Sequence, residues 1–338
     1  MPPTSQSRSQ RTVETRWNRI CSCKDELLTH DQCAQMGVQV TRLELETTRL
    51  AHETEPITDS SSDSSPASGE VLIPTAASYF EPLTDKFMLD HPVDSDRVQK
   101  ISKEDPDFLV LRNYDPEAAI AEERTPGFRQ KYWRPSECLL EVISVLKDHI
   151  FRVPRKSDRG YIGQSLIDIV DWINVNHEVA LSQAFYLPSR NLQDSIHPVR
   201  LLFEVKDYIY PHVTMAVQHN IKETINDNLI LRHELAYILQ VMRTRLNENL
   251  FDKQPQPVLM LSFVAPQHGR ILEAYIEDQY RVKVASSRLY SFEKNSAAPF
   301  ELFYRWFLGR PIGVGRSQPR PQPDFCSLGS ESEETEDA

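Results

Sequence analysis

Glycine is scarce in this sequence, which has only 10 glycines in 338 residues. Dinucleotide and ATP sites depend on glycine-rich loops that let the backbone approach phosphate groups, and no such loop is present. A G-x-S-x-G nucleophile turn is also missing, and Cys138 lies in no recognisable nucleophile context. These gaps argue against nucleotide-dependent enzymes and against serine or cysteine hydrolases.

Long apolar runs are missing as well. No stretch of about 18 apolar residues occurs, so we expect no membrane span and no membrane partner. The N-terminus, MPPTSQSRSQRTVETRW, lacks the apolar segment of a secretory signal. The five cysteines are odd in number and widely scattered, which suits a reducing compartment better than a disulfide framework. We therefore predict an intracellular protein, either cytoplasmic or nuclear.

Four side chains near the N-terminus could bind zinc, namely Cys21, Cys23, His30 and Cys33. Their C-x-C and H-x-x-C spacings depart from the paired spacing that lets two thiolates reach one tetrahedral ion. Ordinary thiols are therefore the favoured interpretation, and a zinc site is the less favoured one.

Charge is unevenly distributed along the chain. The formal net charge is −11, yet Lys and Arg outnumber Asp and Glu between residues 124 and 323, so the acidic excess belongs to the flanks. The basic core leaves nucleic acid open as a partner, and the acidic flanks suit protein partners.

The tracts TDSSSDSSPASGE and SESEETEDA contain too few apolar residues to order themselves. We predict a partly helical N-terminal segment at residues 1–57, a flexible linker and extended segment at 58–125, an α+β core at 126–313, and a disordered acidic tail at 314–338.

The spacing of apolar residues predicts the elements of that core. The predicted order is a helix capped by Ser136, two short helices at 164–187 broken near Asn176, a strand at 199–207, a helix at 212–225, a longer helix from about residue 226, a strand at 257–265, a hairpin at 270–285 and a helix at 299–308. We expect an α+β fold with helices packed on a small mixed sheet.

On the helix predicted at 212–225, the side chains of His212, His219 and Glu223 share a polar face. That face is either exposed to solvent, which we favour, or part of a metal site.

Glu204 and Lys206 stand two residues apart in the predicted strand VRLLFEVKD, so their side chains should project from the same side. A carboxylate there can bind Mg²⁺, and a lysine beside it can activate water or stabilise charge that develops on a phosphate. The favoured alternative is an ion pair or two solvated charges, because isolated charge pairs are common and contribute little.

The order of helix, strands, E-x-K strand, helix with Gln240 on its open face, and further strand resembles the core of the PD-(D/E)xK nuclease superfamily over about residues 136–285. The resemblance implies Mg²⁺-dependent cleavage of phosphodiester bonds, with nucleic acid as substrate. It implies catalytic roles for Glu204 and Lys206 and a second acidic metal ligand beside Glu204. Asp194 is the nearest candidate for that ligand, and Asp168 and Asp171 are the alternatives.

Three longer runs, FEVKDYIYPHV, HNIKETINDNLILRHELAYILQVMRTRL and PVLMLSFVAPQHGRILEAY, resemble an uncharacterised family of proteins from filamentous fungi. This resemblance implies lineage and an intracellular setting, not a reaction. Two hypotheses for function result. One is a nuclease-like protein, either active or degenerate. The other is a non-catalytic interaction or regulatory protein, such as an accessory member of a biosynthetic cluster for a fungal secondary metabolite.

Overall fold

The computed structural model describes residues 7–45, 79–124, 132–156, 163–175, 197–221, 225–248, 251 and 254–313. The helices are α1 (Arg8–Ser22), α2 (His30–Gln35), α3 (Asp85–Asp90), α4 (Ser95–Glu104), α5 (Pro116–Arg124), α6 (Pro135–Phe151), α7 (Leu166–Ile169), α8 (Arg232–Asn247) and α9 (Phe300–Phe307). The strands are β1 (Leu27–Thr29), β2 (Val38–Arg42), β3 (Phe80–Glu81), β4 (Trp172–Asn174), β5 (Val199–Val205), β6 (Val213–His219), β7 (Leu229–Leu231), β8 (Val258–Val264), β9 (His268–Glu277), β10 (Arg281–Ser286), β11 (Tyr290–Ser291) and β12 (Arg310–Pro311). None of the helices in these ranges combines the length and apolar character that crossing a bilayer requires.

An eight-stranded mixed sheet lies at the centre of the fold. Its order is β2-β10-β9-β8-β6-β5-β4, and β11 pairs with β9. β2 is parallel to β10 and β6 is parallel to β8, whereas the other neighbours are antiparallel. The predicted α+β class is confirmed. The sheet is larger than expected, and β2 joins it from outside the core boundary predicted at residue 126.

Helices cover both faces of this sheet. Alternate residues of a strand point to opposite faces, and in β5 Leu202 packs with α1 and α8 while Leu201 and Phe203 pack with α6 and α9. The predicted apolar stripes of α6 and α8 are fully buried in these two layers. Each layer therefore covers one side of the central strands, which leaves β6 and β8 buried along their whole length.

β6 is the main departure from the predicted secondary structure. The pattern predicts a helix at 212–225, but Val213–His219 is a strand between β5 and β8 with all seven residues buried. A strand covered on both faces shows no alternation of apolar and polar residues, and apolar residues four apart then imitate a helical stripe. His212 and His219 are consequently buried rather than exposed on a helix face. Glu223 lies outside the described residues.

The other core elements follow the predictions in part. α6 begins with Pro135 after Arg134, which makes no side-chain cap, so Ser136 is not the cap that the sequence predicts. The region predicted as two short helices holds the single turn α7 and then the strand β4, and residues 176–196 lie outside the described part. α8 starts later than predicted, because β7 precedes it. The predicted strand β8, hairpin β9–β10 and helix α9 are confirmed.

Residues 79–124 contain three helices instead of the predicted extended segment. The side chain of Thr84 accepts a hydrogen bond from the third residue of α3, and that of Asp94 does the same for α4. Such caps satisfy backbone donors at a helix start. α5 begins with Pro116, whose fixed φ suits a first helical position. The linker predicted at 58–70 and the tail at 314–338 lie outside the described residues.

Candidate metal centre

Three side chains from distant parts of the sequence meet near the start of α8 and the start of β5. Glu26 precedes β1, His197 precedes β5, and His233 lies in the first turn of α8. Each can offer one ligand atom, and these atoms all lie within 4.8 Å of one another. No other such group of three or more His, Cys, Asp or Glu ligands occurs in the described residues.

α8 positions most of this cluster. The rings of His233 and His197 stack with centroids 3.7 Å apart, and the Tyr237 hydroxyl, one turn further along α8, donates a hydrogen bond to the His197 carbonyl. The guanidinium of Arg232 lies 3.3 Å from one carboxylate oxygen of Glu26. The other oxygen of Glu26 lies 3.3 Å from Nδ1 of His233. Arg232 thereby orients the carboxylate toward the histidines.

A fourth residue, His219, lies against this group at the end of β6. Val199 pairs with Val217 in the antiparallel ladder between β5 and β6. Continuing that register by two residues places His197 opposite His219, and their Nδ1 atoms are 3.0 Å apart. The sheet itself therefore brings these two histidines together.

The protonation states suit a cation. Burial, with a smaller effect of His233, lowers the pKa of His197 to about 3, and burial holds the pKa of His219 well below its ordinary value. The contact with His233, which outweighs the opposing effect of burial, lowers the pKa of the Glu26 carboxyl to about 2. At neutral pH the cluster thus offers neutral imidazoles at His197 and His219 and a carboxylate at Glu26, the forms that bind metals.

The cluster also contains buried polar atoms that the protein leaves unpartnered. They are Oε2 of Glu26, Nε2 of His197, Nε2 of His219 and Nδ1 of His233. The contact between Glu26 and His233 is short enough for an ion pair but lacks hydrogen-bond alignment. Each unsatisfied buried polar atom costs about 1–3 kcal/mol, and a cation held by Glu26, His197 and His233 would satisfy the lone pairs of these three residues. Two imidazoles and a carboxylate suit Zn²⁺ or Fe²⁺, whereas Mg²⁺ prefers oxygen ligands.

The predicted pair at Glu204 is arranged differently from the expectation. β5 ends one residue before Lys206, which enters a short 3-10 turn where Asp207 has a φ of 58°. Glu204 is buried and forms an ion pair with Arg245 of α8 at 2.9 Å, whereas Lys206 is exposed. The expectation that both residues lie in one strand is therefore wrong.

Asp168 and Asp171, the alternatives for the second acidic ligand of the predicted Mg²⁺ site, both lie in the described part of the chain. Asp168 accepts hydrogen bonds from the backbone N and the hydroxyl of Ser165 at 2.8 and 2.7 Å. Asp171 is exposed, and its carbonyl accepts a hydrogen bond from the turn after β5. Neither belongs with Glu204 to a group of three ligands in the described residues. Asp194 lies outside them, so its pairing with Glu204 stays a prediction.

The cysteines considered for zinc do not converge. Cys33 is buried while Cys21 and Cys23 are partly exposed, and no three of the four side chains Cys21, Cys23, His30 and Cys33, all within the described part, form a ligand group. Burial raises the pKa of the Cys33 thiol to about 12 and that of Cys21 to about 11. Both thiols are therefore protonated at neutral pH, which is unfavourable for metal binding.

Comparison of the chain with protein-family models, with curated proteins and with solved structures finds no match.

Proposed function

We propose that this protein binds one divalent first-row transition metal ion through Glu26, His197 and His233. The observation that carries the proposal is the convergence of three ligand atoms within 4.8 Å of one another, with one buried atom of each side chain lacking a hydrogen-bond partner. Arg232 and Tyr237 hold the carboxylate and the His197 backbone from outside the ligand group. Such partners orient metal ligands and add to affinity.

The donor set suggests what the ion would supply. Sites with two histidines and one glutamate occur for catalytic zinc, and two histidines with one carboxylate also hold iron(II). An ion in such a site acts as a Lewis acid on whatever occupies its free position. Glu26, His197 and His233 would hold the ion, and Arg232 would limit the negative charge of the site.

Zinc titration of the metal-free protein tests the proposal. We expect one equivalent of Zn²⁺ to bind, and Glu26→Gln to weaken binding by roughly 100-fold or more, because loss of an orienting partner alone costs about 10–100-fold. Isothermal titration calorimetry measures both affinities. Elemental analysis of the protein as purified identifies the ion that it carries.

Glu14→Gln is the matched control. Glu14 lies in the same N-terminal segment and forms an ion pair with Arg243 of α8 at 2.5 Å, but it is outside the ligand group. Its substitution should leave the zinc affinity unchanged. The proposal fails if the wild-type protein binds no zinc, or if both glutamate variants lose affinity equally.

Metal-dependent cleavage of phosphodiester bonds is a second candidate. The strand order favours it, because β4, β5 and β6 form an antiparallel series and α8 then connects β6 to the parallel strand β8. α6 precedes this series, as the resemblance to the PD-(D/E)xK superfamily leads us to expect, but β6 stands between the E-x-K strand β5 and α8, and Gln240 is buried instead of lying on an open helix face. The ion pair between Glu204 and Arg245 speaks against an active site at Glu204. A degenerate core with a regulatory role is the remaining form of this candidate.

A further inference from the structure

His219 is the one histidine of the cluster that lies outside the ligand group. It is fully buried, and its ring centroid is 5.1 Å from that of His197. The group whose ligand atoms lie within 4.8 Å of one another contains His197 and His233 but not His219. His219 therefore touches a ligand without being placed as one.

The contact between the two Nδ1 atoms restricts where the protons are. At 3.0 Å one nitrogen must donate and the other must accept, since two N–H groups or two lone pairs would repel. If His197 donates, its Nε2 carries a lone pair, and Nε2 of His219 carries a proton. If His219 donates, the assignment is reversed. Only the first arrangement lets Nε2 of His197 bind an ion.

We infer that His219 is a positioning residue, which accepts the Nδ1 proton of His197 and so directs the Nε2 lone pair of His197 to the metal. In that state Nε2 of His219 is protonated and cannot bind the same ion. The protein then contributes three ligands, and a tetrahedral ion keeps one position for a small exogenous ligand such as water, hydroxide or a small anion. This inference rests on the proposed metal site.

A pair of substitutions separates positioning from ligation. In His219→Asn, the asparagine Oδ1 is separated from Cα by the same number of bonds as Nδ1 of histidine. It can therefore still accept the proton of His197. His219→Leu removes the acceptor. We expect zinc affinity within about 3-fold of wild type for the Asn variant, and a loss of about 10–100-fold for the Leu variant, as for other orienting partners of metal ligands.

The free position is tested on the cobalt-substituted protein. Azide should change the visible absorption of the Co²⁺ form of both the wild-type protein and His219→Asn. An unchanged spectrum at saturating azide would overturn the inference of a free position.

Each remaining outcome has a distinct meaning. Equal losses in the Asn and Leu variants would make His219 a ligand or a packing residue, and unchanged affinity in the Leu variant would leave it without a role. If His219→Leu does not fold, nitrogen NMR of the zinc form decides, because His197 must carry its proton on Nδ1. Absence of zinc binding in the wild-type protein would instead refute the metal site itself.

Discussion

Glu204 shows how a single contact changes the meaning of a residue. Its carboxylate lies 2.9 Å from Arg245, which also contacts Glu248 at 3.0 Å. The side chain of Arg245 is almost inaccessible, and a guanidinium cannot give up its proton. Glu204 therefore balances a buried positive charge, and this function does not need Lys206.

The two residues should consequently respond differently to substitution. We expect Glu204→Gln to lower the free energy of unfolding by about 1–3 kcal/mol, because it leaves a buried charged partner less well satisfied. Glu248 still pairs with Arg245, which limits the loss. Lys206→Ala should change stability by less than about 0.5 kcal/mol, as for most exposed positions. Urea unfolding of the three proteins measures these differences.

Cleavage assays on the same proteins test the nuclease candidate. With DNA and RNA in Mg²⁺, we expect no activity that depends on Lys206. Mg²⁺-dependent cleavage by the wild-type protein that disappears in Lys206→Ala, while stability is preserved, would restore the catalytic role that the sequence suggested for this lysine.

At the scale of elements, local patterns predicted the outer helices well and the central strand badly. The apolar stripes of α6 and α8 consist of residues three and four apart, a spacing that is evident in the sequence. β6 is buried on both faces, so apolar and polar residues do not alternate along it, and the spacing of its apolar residues predicts a helix. Because the pattern places His219 on the polar face of a helix, it does not predict the pairing with His197. A strand assignment for 213–219, paired antiparallel with β5, would have put the two histidines opposite each other.

Glu26 and β2 could not have been found in this way. Their partners lie about 200 residues further along the chain, and contacts of that range leave no spacing signal. The N-terminal segment, residues 7–45, packs through α1 on α8, pairs β1 with β7 and adds β2 to the sheet. Arg232 reinforces this docking by donating to the Cys23 carbonyl at 2.9 Å.

A bound metal should therefore hold the N-terminal segment against the rest of the fold. One ligand comes from this segment, and the other two come from the regions before β5 and in α8. At a zinc concentration about 100 times the dissociation constant, linkage stabilises the bound form by about 2.7 kcal/mol, which corresponds to roughly 100-fold slower exchange of amides that open with the site. Hydrogen exchange should show this protection in the ladder between β1 and β7.

The ladder between β8 and β9 serves as the internal control. Its amides lie in the middle of the sheet and should exchange equally slowly with and without zinc, unless they open together with the site. In Glu26→Gln, zinc should give little protection anywhere. Protection that spreads evenly over the whole molecule, instead of concentrating at the N-terminal segment, would contradict a local docking role.

At the scale of the whole molecule, histidines are buried on both sides of the sheet, and burial lowers the pKa of His149, His197, His212 and His219. Outside the metal cluster, His149 of α6 packs against Phe300 and Tyr304. Nε2 of His212 contacts the carbonyls of Tyr79 and Ile312 at 3.0 and 3.1 Å. Burial lowers the pKa of each to about 4, with Arg155 adding to the effect at His149. The contacts of His212 also join two distant chain segments that meet in the ladder between β3 and β12.

These pKa values predict a loss of stability in mild acid. As the pH falls from 7 to 5, the unfolded chain takes up protons at histidines near pH 6.5, whereas folded His149 and His212 stay neutral until about pH 4. Protons therefore favour the unfolded state, and each histidine should cost on the order of 1–2 kcal/mol over this interval.

Urea unfolding at pH 7, 6 and 5 with a chelator present measures the loss without a contribution from bound metal. His212→Gln can still donate to a carbonyl but does not titrate, so its stability should fall less steeply. An equal slope in wild type and variant would show that His212 is protonated in the folded protein at pH 5.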